Sequence, residues 1–324
     1  MKLQQLSYLV HVARNDFNVS ATARRLDTSQ PGISKQIAAL ESDLGIPLLQ
    51  RQGRQIVGLT PAGRDILPRV ERLLIEAENI TTIAADHGGN RIGSLAIATT
   101  HTQARYTLPD VVERFRERYP TVSFHMKLGS PLQIAEMAIS REVDLVIATE
   151  SPHFFQGMMM MPCYRWARAL IVPRDHELAS YTQLGIRELA RYPIVTYSFG
   201  FSPDSPLNLA FAAAGLEPTL ALTATDADVI KTYVRRGLGV GIIASMAYEP
   251  DRDEDLAQID CSNLFAMSTT YIGCVRAAEM RDFGYEFIRW FAPHLTRDRV
   301  QAFRDAATDR DREKILSELE LPRR

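Results

Sequence analysis

The sequence predicts an α/β chain with three parts: an all-α winged helix-turn-helix at the N-terminus, a long linking helix, and a larger α/β body. Three observations carry this. Residues 20–61 run as helix, tight turn, second helix and basic hairpin. Residues 61–86 repeat apolar positions at alternating four- and three-residue steps. From about residue 92 onward, short apolar runs alternate with amphipathic segments. A length of 324 residues suits two or three domains at roughly 100–200 residues each, and 46% apolar residues can fill their cores.

In the head, Leu3, Leu6, Val10 and Ala13 recur at helical spacing and predict a first helix with one buried face. Ser20 is expected to cap a second helix, with Ala23 and Leu26 turned to the same core. Thr28 and Ser29 supply cap chemistry for a third helix, and Pro31 sits in its first turn, where a missing N–H costs little. Ile33, Ile37, Leu40 and Leu44 form its buried stripe, and Gly45 with Pro47 ends it. Gln30, Ser34 and Lys35 are left near the opposite face, beside Ser29 and Pro31, at the end that a recognition helix presents to base edges. Glutamine pairs with adenine through two bonds, and lysine suits guanine or phosphate. Arg51 and Arg54 flank the turn pair Gln52-Gly53, on a wing that would meet phosphates. Residues 1–64 hold eight Lys and Arg against four Asp and Glu, on a chain of net charge −2. That local basic excess favours DNA as the partner over a plain helical hairpin.

Thr60-Pro61 opens the linking helix, expected to reach about Asp86. Ile66, Val70, Leu73, Ala77, Ile80 and Ala84 make a heptad seam that predicts a homodimer, with Pro68 removing one helical bond. Pairing small heads places two recognition helices on successive turns of one DNA face. His87 to Arg91 reads as a hinge.

The body alternates. Strands are expected at Leu95 to Ala98, Val122 to Leu128 and Asp144 to Ala148, with helices at Leu108 to Tyr119 and from Ser130-Pro131 to Ile139, in a largely parallel sheet. A second set begins near Met161. Its strands are Ala169 to Val172, Ile194 to Tyr197, Leu220 to Thr223 and Val240 to Ile243; its helices lie around 184–190, 207–214 and 226–236. Thr99, Thr100, Thr102 and Gln103 follow a strand end and open a helix, where open α/β sheets hold ligands and free N–H groups face anions. Thr149 ends another strand, Trp166 offers an indole N–H that can only donate, and Ser202 lies in a loop after a third strand. Taken singly, each hydroxyl is better read as a cap or turn group than as a ligand contact.

Other features are set aside. No run of about 18 apolar residues predicts a transmembrane helix, and the start shows no secretory signal. Cys163, Cys261 and Cys274 lack Cys-x-x-Cys spacing and suit reduced thiols in a cytoplasm. The seven histidines show no metal-ligand pairing, so no metal is expected. His101, beside Thr100, reads as a local packing or capping group, with anion contact as the alternative. Gly237-Leu238-Gly239-Val240-Gly241 fails the nucleotide spacing at Ile242 and reads as a helix end before a strand. Met158 to Met161 reads as core or interface packing, and 297–324 as a charged surface helix with Ile315, Leu316 and Leu319 on its inner side. No phosphate loop, nucleophile elbow or metal motif is present, so neither an enzyme nor a cofactor is expected.

Thr28 to Gln36, then Leu40-Glu41-x-x-Leu44-Gly45-Ile46, then Leu59-Thr60-Pro61-Ala62-Gly63, together resemble the LysR-type transcriptional regulators. Ile97 to Tyr106 and Asp226 to Arg235 resemble the cysteine-regulon branch of that family, of the CysB and Cbl kind. The resemblance runs to about residue 295. It implies a DNA-binding domain at 1–60, a dimerising helix at 61–87 and an effector domain at 88–324, folded in two lobes like periplasmic binding proteins. The lobes would span 92–161 with 267–295, and 162–266. It implies promoter DNA as one partner, a sulfate-like anion or an acetylserine as effector, a homodimer or homotetramer, and control of sulfur-assimilation genes. The alternative is a LysR-type regulator of another metabolic or redox pathway. In that branch the positions matching Thr100, Thr102, Gln103, Thr149, Trp166 and Ser202 are associated with the bound effector. This sequence departs from the branch in the loop Ser202-Pro203-Asp204-Ser205-Pro206, where the branch more often has Thr-Gly and a basic residue and Asp204 instead brings a negative charge near the anion site.

Overall fold

A computed structural model describes residues 1–53, 55–87, 93–149, 152–181, 184–201, 205–317 and 319–324. The chain divides into two compact units, residues 1–89 with 277–279, and residues 90–276 with 280–324.

In the first unit, α1 (Leu3–Arg14), α2 (Val19–Arg25) and α3 (Gln30–Leu44) precede a hairpin of β1 (Leu49–Gln52) and β2 (Gln55–Leu59), then α4 (Pro61–His87). Ile33, Ile37 and Leu40 of α3 are buried with Leu6, Leu9 and Val10 of α1. Each such side chain contributes about 1.5–3 kcal/mol by leaving water. The expected stripes overreach at their ends. Leu3 and Leu44 are 51% and 37% exposed, because the core closes on Leu9 and Val12 at one end and on Leu48 at the other.

Ser29 caps α3 by accepting the Gly32 N–H at 3.2 Å, and Gly45 ends it at φ 71°. Ser20, expected as a cap, lies inside α2. Asp16 and Phe17 take φ of 50° and 61°, which leaves Asn18 as the last non-helical residue, and its side chain accepts the Ala21 N–H at 2.9 Å. Glu41 reaches from α3 to the N–H groups of Leu48 and Leu49, at 2.8 and 2.9 Å, and pins the hairpin to the helix. Thr60 caps α4 by accepting the Gly63 N–H at 3.0 Å. A side chain at Gly63 would overlap the Leu48 carbonyl, which explains glycine in the Leu-Thr-Pro-Ala-Gly run.

The seam on α4 is divided. Val70 is buried, and Ile66, Leu67 and Leu74 pack beside it on the head's own core. The first turns of α4 cover α1 and are used within the unit, contrary to the expectation for Ile66 and Val70. Leu73, Ile80 and Ile83 remain 40%, 69% and 48% exposed.

The second unit holds two five-stranded sheets. The first lobe comprises β3 (Gly93–Thr99), α5 (His101–Tyr106), α6 (Pro109–Arg118), β4 (Val122–Leu128), α7 (Pro131–Ile139), β5 (Leu145–Thr149) and β6 (Met158–Trp166). The second comprises β7 (Arg168–Pro173), α8 (Ile186–Leu189), β8 (Ile194–Tyr197), α9 (Pro206–Ala213), β9 (Leu220–Ala224), α10 (Ala227–Arg235), β10 (Val240–Ala244) and β11 (Leu256–Asp260). The chain then returns to the first sheet through β12 (Ser268–Val275) and continues as α11 (Asp282–Phe291), α12 (Arg297–Asp305) and α13 (Asp309–Ser317).

Strand order is β4-β3-β5-β12-β6 in the first sheet and β11-β7-β10-β8-β9 in the second. Four strands of each sheet share one direction, and β12 and β7 run antiparallel to both their neighbours. Each sheet is largely parallel, with one reversed strand inside it. The crossing to the second lobe falls later than residue 162. β6 stays paired with β12 from Met158 to Trp166. Within it, Met159 and Met161 enter one core and Met158 and Met160 another, so the methionine run is a strand buried on both faces. The stretch around 184–190 holds a single helical turn, α8.

Ile315, Leu316 and Leu319 pack on the first lobe's core. The chain beyond them lies along β6: the Arg165 N–H donates to Pro322 O and the Arg324 N–H to Arg165 O, both at 2.9 Å. That edge is thereby covered.

Candidate functional site

The start of α3 is a polar surface. Ser29, Gln30, Pro31 and Lys35 are exposed and Ser34 half-buried. Ser20 Oγ donates to Gln30 Oε1 at 3.1 Å, so α2 steadies the side chain best suited to adenine. Arg51 is exposed on β1, with its guanidinium 3.8 Å from Glu41. Gly53 turns the hairpin at φ 60°. Arg54 lies outside the described residues.

In the second unit, Thr100, Thr102, Gln103, Thr149 and Trp166 line one cavity, faced by Tyr197, Phe199 and Ala244. Its empty space is about 260 Å³, mouth included. The lining side chains are hydroxyls, an amide and aromatics, none of them charged. Ser202 lies outside the described residues, as does Asp204. His101 is not among the lining residues.

Strand ends place these groups. Thr149 closes β5, Tyr197 closes β8 and Ala244 closes β10. The strand-end rule that singles out Thr149 applies equally to Tyr197 and Ala244, which sequence reasoning passed over. Thr102 Oγ1 donates to Tyr197 Oη at 3.4 Å, and the Ala244 N–H donates to it at 3.2 Å, so the lobes meet at this phenol. Tyr197 also stacks on Phe199, with centroids 5.1 Å apart. Gln103 Nε2 donates to Thr270 Oγ1 at 3.3 Å, and Thr270 and Thr149 share a hydrogen bond of 2.9 Å. Thr99 is not part of the site; its hydroxyl donates to Ile147 O at 3.1 Å within the sheet. Trp166 is 4% exposed, and its indole N–H has no hydrogen-bond partner. Leaving such a donor unpaired costs about 1–3 kcal/mol, so the site holds a standing demand for an acceptor.

The far end of α5 carries a different cluster. Tyr106 Oη donates to Asp228 Oδ1 at 2.9 Å, and Arg105 approaches Asp228 at 2.8 Å and Glu249 at 3.4 Å. Lys231, 2% exposed, lies 2.6 Å from Asp253, which Arg235 also meets at 2.8 Å. Burial, and then the hydrogen bond to Asp228, push the Tyr106 phenol well above its ordinary range. Burial would raise the Asp253 carboxyl, but the Glu249 N–H, Lys231 and Arg235 outweigh it and hold the group low. The two segments of branch resemblance, 97–106 and 226–235, thus meet across the lobes.

All three cysteines are buried and free. Burial pushes the Cys261 and Cys274 thiols up to about 12 and about 11, and Cys163 higher still. Among the described residues no group of His, Cys, Asp and Glu could hold a metal, and no helix is long and apolar enough to cross a membrane.

Residues 3–64 match the family model of the bacterial regulatory helix-turn-helix protein, lysR family, and residues 88–296 match that of the LysR substrate binding domain. The chain belongs to the LysR family. It is 47% identical over 321 residues to the HTH-type transcriptional regulator CysB of Haemophilus influenzae, covering 99% of each chain. It is 42% identical over 295 residues to the HTH-type transcriptional regulator SsuR of Burkholderia cenocepacia, covering 91% of this chain and 96% of that one. Among solved structures it is similar to the cofactor-binding domain of the Cbl transcriptional regulator, at 35% identity and a TM-score of 0.61, over 70% of this chain and 95% of that one. As a LysR-type transcriptional regulator, the chain pairs a DNA-binding head with a two-lobed effector domain. LysR-type regulators act as oligomers on promoter DNA and answer to a small effector.

Proposed function

We propose that this LysR-type regulator senses a small sulfur-related anion or an acetylserine, and controls sulfur-assimilation genes. The unpaired indole N–H of Trp166, buried beside Thr100, Thr102, Gln103 and Thr149, carries the reading. A wall of neutral donors stabilises an oxyanion without the desolvation cost of burying a side-chain charge. Ser202 is assigned to the same site on the family resemblance. The likeness to CysB and SsuR over nearly the whole chain supports sulfur as the effector's chemistry.

Residues 1–60 are assigned to DNA binding, 61–87 to dimerisation and 88–324 to effector binding. Gln30, Ser34 and Lys35 would read bases; Ser29, Pro31, Arg51 and Arg54 would approach the backbone. Leu73, Ala77 and Ile80 would form the dimer seam, and pairing of the bodies would extend a dimer to a tetramer. The protein would act in the cytoplasm, without catalytic activity. The effector would bind one arrangement of the lobes better than another, since only differential affinity shifts a population.

The test titrates the full chain calorimetrically with sulfate, thiosulfate, O-acetylserine and N-acetylserine, and follows promoter DNA mobility with each. At least one should bind and alter the DNA complex; silence from all four would sink the sulfur assignment. On DNA, Gln30→Ala should cost about 1–3 kcal/mol on the specific site and relax its sequence preference. Equal losses on specific and random DNA would count against base reading.

A further inference from the structure

The polar groups that line the cavity differ in what they have left to give. Gln103 and Thr149 are held by their own wall: Gln103 Oε1 accepts the Tyr164 phenol and the Thr107 hydroxyl, and Thr149 shares a bond with Thr270. Thr102 and Tyr197 differ. They meet across the lobes, Thr102 from α5 and Tyr197 from the end of β8, with their oxygens 3.4 Å apart. The Ala244 N–H fills one acceptor position on the phenol oxygen at 3.2 Å. Each hydroxyl carries one proton. One of these two protons serves the shared bond, whichever group donates it, and the other has no acceptor among the described residues. That bond is long, since O–H···O bonds usually span about 2.5–3.0 Å, so little is lost when a proton turns to a ligand instead. Burial pushes the Tyr197 phenol above its ordinary range, so it holds its proton at neutral pH. Its ring is fixed in place: it stacks on Phe199 and shares a core with Ala227, Ile230 and Ala247.

Thr100, Thr102, Gln103, Thr149 and Trp166 all come from the first lobe, where the Trp166 indole N–H is without a partner. Phe199 and Ala244, the second lobe's other described lining residues, have no side-chain proton to donate. A ligand held by the first lobe alone would bind open and closed arrangements equally and shift no population. We infer that Tyr197 is an effector-binding residue: the spare proton of the Thr102–Tyr197 pair and the Trp166 N–H bind one oxyanion, and the phenol makes that binding depend on the lobes being together. The inference rests on the anion reading above and adds the second-lobe residue through which the anion favours closure. Ala244 reports on it, because the phenol is the acceptor of its N–H.

The experiment uses the full-length protein and two anions, sulfate and N-acetylserine. Each is titrated calorimetrically into the parent and into Tyr197→Phe, which keeps the ring and its stacking. Amide hydrogen exchange at Ala244 is followed with and without each anion. In the parent at least one anion should bind and slow exchange at Ala244 about tenfold or more, because that amide exchanges only when the phenol releases it. Tyr197→Phe should bind the same anion about tenfold more weakly or worse, the scale of one hydrogen bond to a charged group, and the anion should no longer slow Ala244. The second readout separates binding from packing: a phenol that only held the fold would leave Ala244 faster in the variant yet still slowed by the anion. A folded Tyr197→Phe protein that keeps the parent's affinity, or in which the anion slows Ala244 as in the parent, would overturn the assignment and leave the anion reading standing. If Tyr197→Phe does not fold, the parent decides: binding without slower exchange at Ala244 overturns the assignment. A parent that binds neither anion would overturn both.

Discussion

One short helix, α5, serves two polar clusters of opposite character. Towards its start, Thr102 and Gln103 line a cavity without charged side chains, beside an indole N–H that has no partner. At its end, Arg105 and Tyr106 join Asp228, Lys231, Glu249 and Asp253 in an ionic network in which each group has a partner within the chain. Both clusters lie where the lobes meet. The saturated network can contribute to folding without a ligand. The unsaturated cavity is completed only when an acceptor arrives. Stability and ligand demand are thus separated along a single helix, and mutation should separate them too.

The largest effect should come from the saturated side. Lys231→Met leaves Asp253 buried with Arg235 as its remaining cation. Breaking a buried pair costs about 3–5 kcal/mol, and the second cation places this case near the lower end. Urea unfolding measures it, and a loss below about 1 kcal/mol would show that the network holds little. On the unsaturated side, Thr100→Val with Thr102→Val should weaken effector binding by about 1–3 kcal/mol and leave unfolding almost unchanged. If the double variant binds the effector and shifts DNA as the parent does, the cavity is only a helix cap.

A smaller effect should appear in acid. The Asp253 carboxyl is held below its unfolded value, so its contribution is fully present above about pH 4 and is lost as pH falls through the lowered folded value. Asp253→Asn should flatten that part of the stability–pH curve, and a curve of unchanged slope would remove Asp253 from the account. The smallest effect should come from the thiols. With Cys261 and Cys274 pushed to about 12 and about 11 by burial, a thiol reagent at neutral pH should leave native protein unlabelled. Rapid labelling that also changed effector binding would point to a redox input instead.

Much of the local structure was legible. Ser29, Pro31 and Gly45 mark the ends of α3, and Val122 to Leu128 are the bounds of β4, with the expected alternation held as far as Met126 and lost at Leu128, which is 44% exposed. Where expectations slipped, the cause was a contact between segments distant in sequence. Ile66 and Val70 have perfect heptad spacing, yet α1 claims them. Ser20 is a good cap residue, but the turn at Asp16 and Phe17 hands that role to Asn18. In the cavity, Thr100, Thr102, Gln103, Thr149 and Trp166 were found from strand ends and family resemblance together. Thr270 and Tyr164 were not, since each matters through a partner more than 60 residues away.

By itself the sequence determined the recognition helix, its caps, the basic head and the strand–helix rhythm of the body, because capping and periodicity act over a few residues. The tertiary structure decided which apolar faces were already covered, that β6 stays with the first sheet, and which polar groups meet in the cavity wall. Those outcomes depend on which strands pair and which buried donor finds an acceptor, and both are settled only when distant segments pack together.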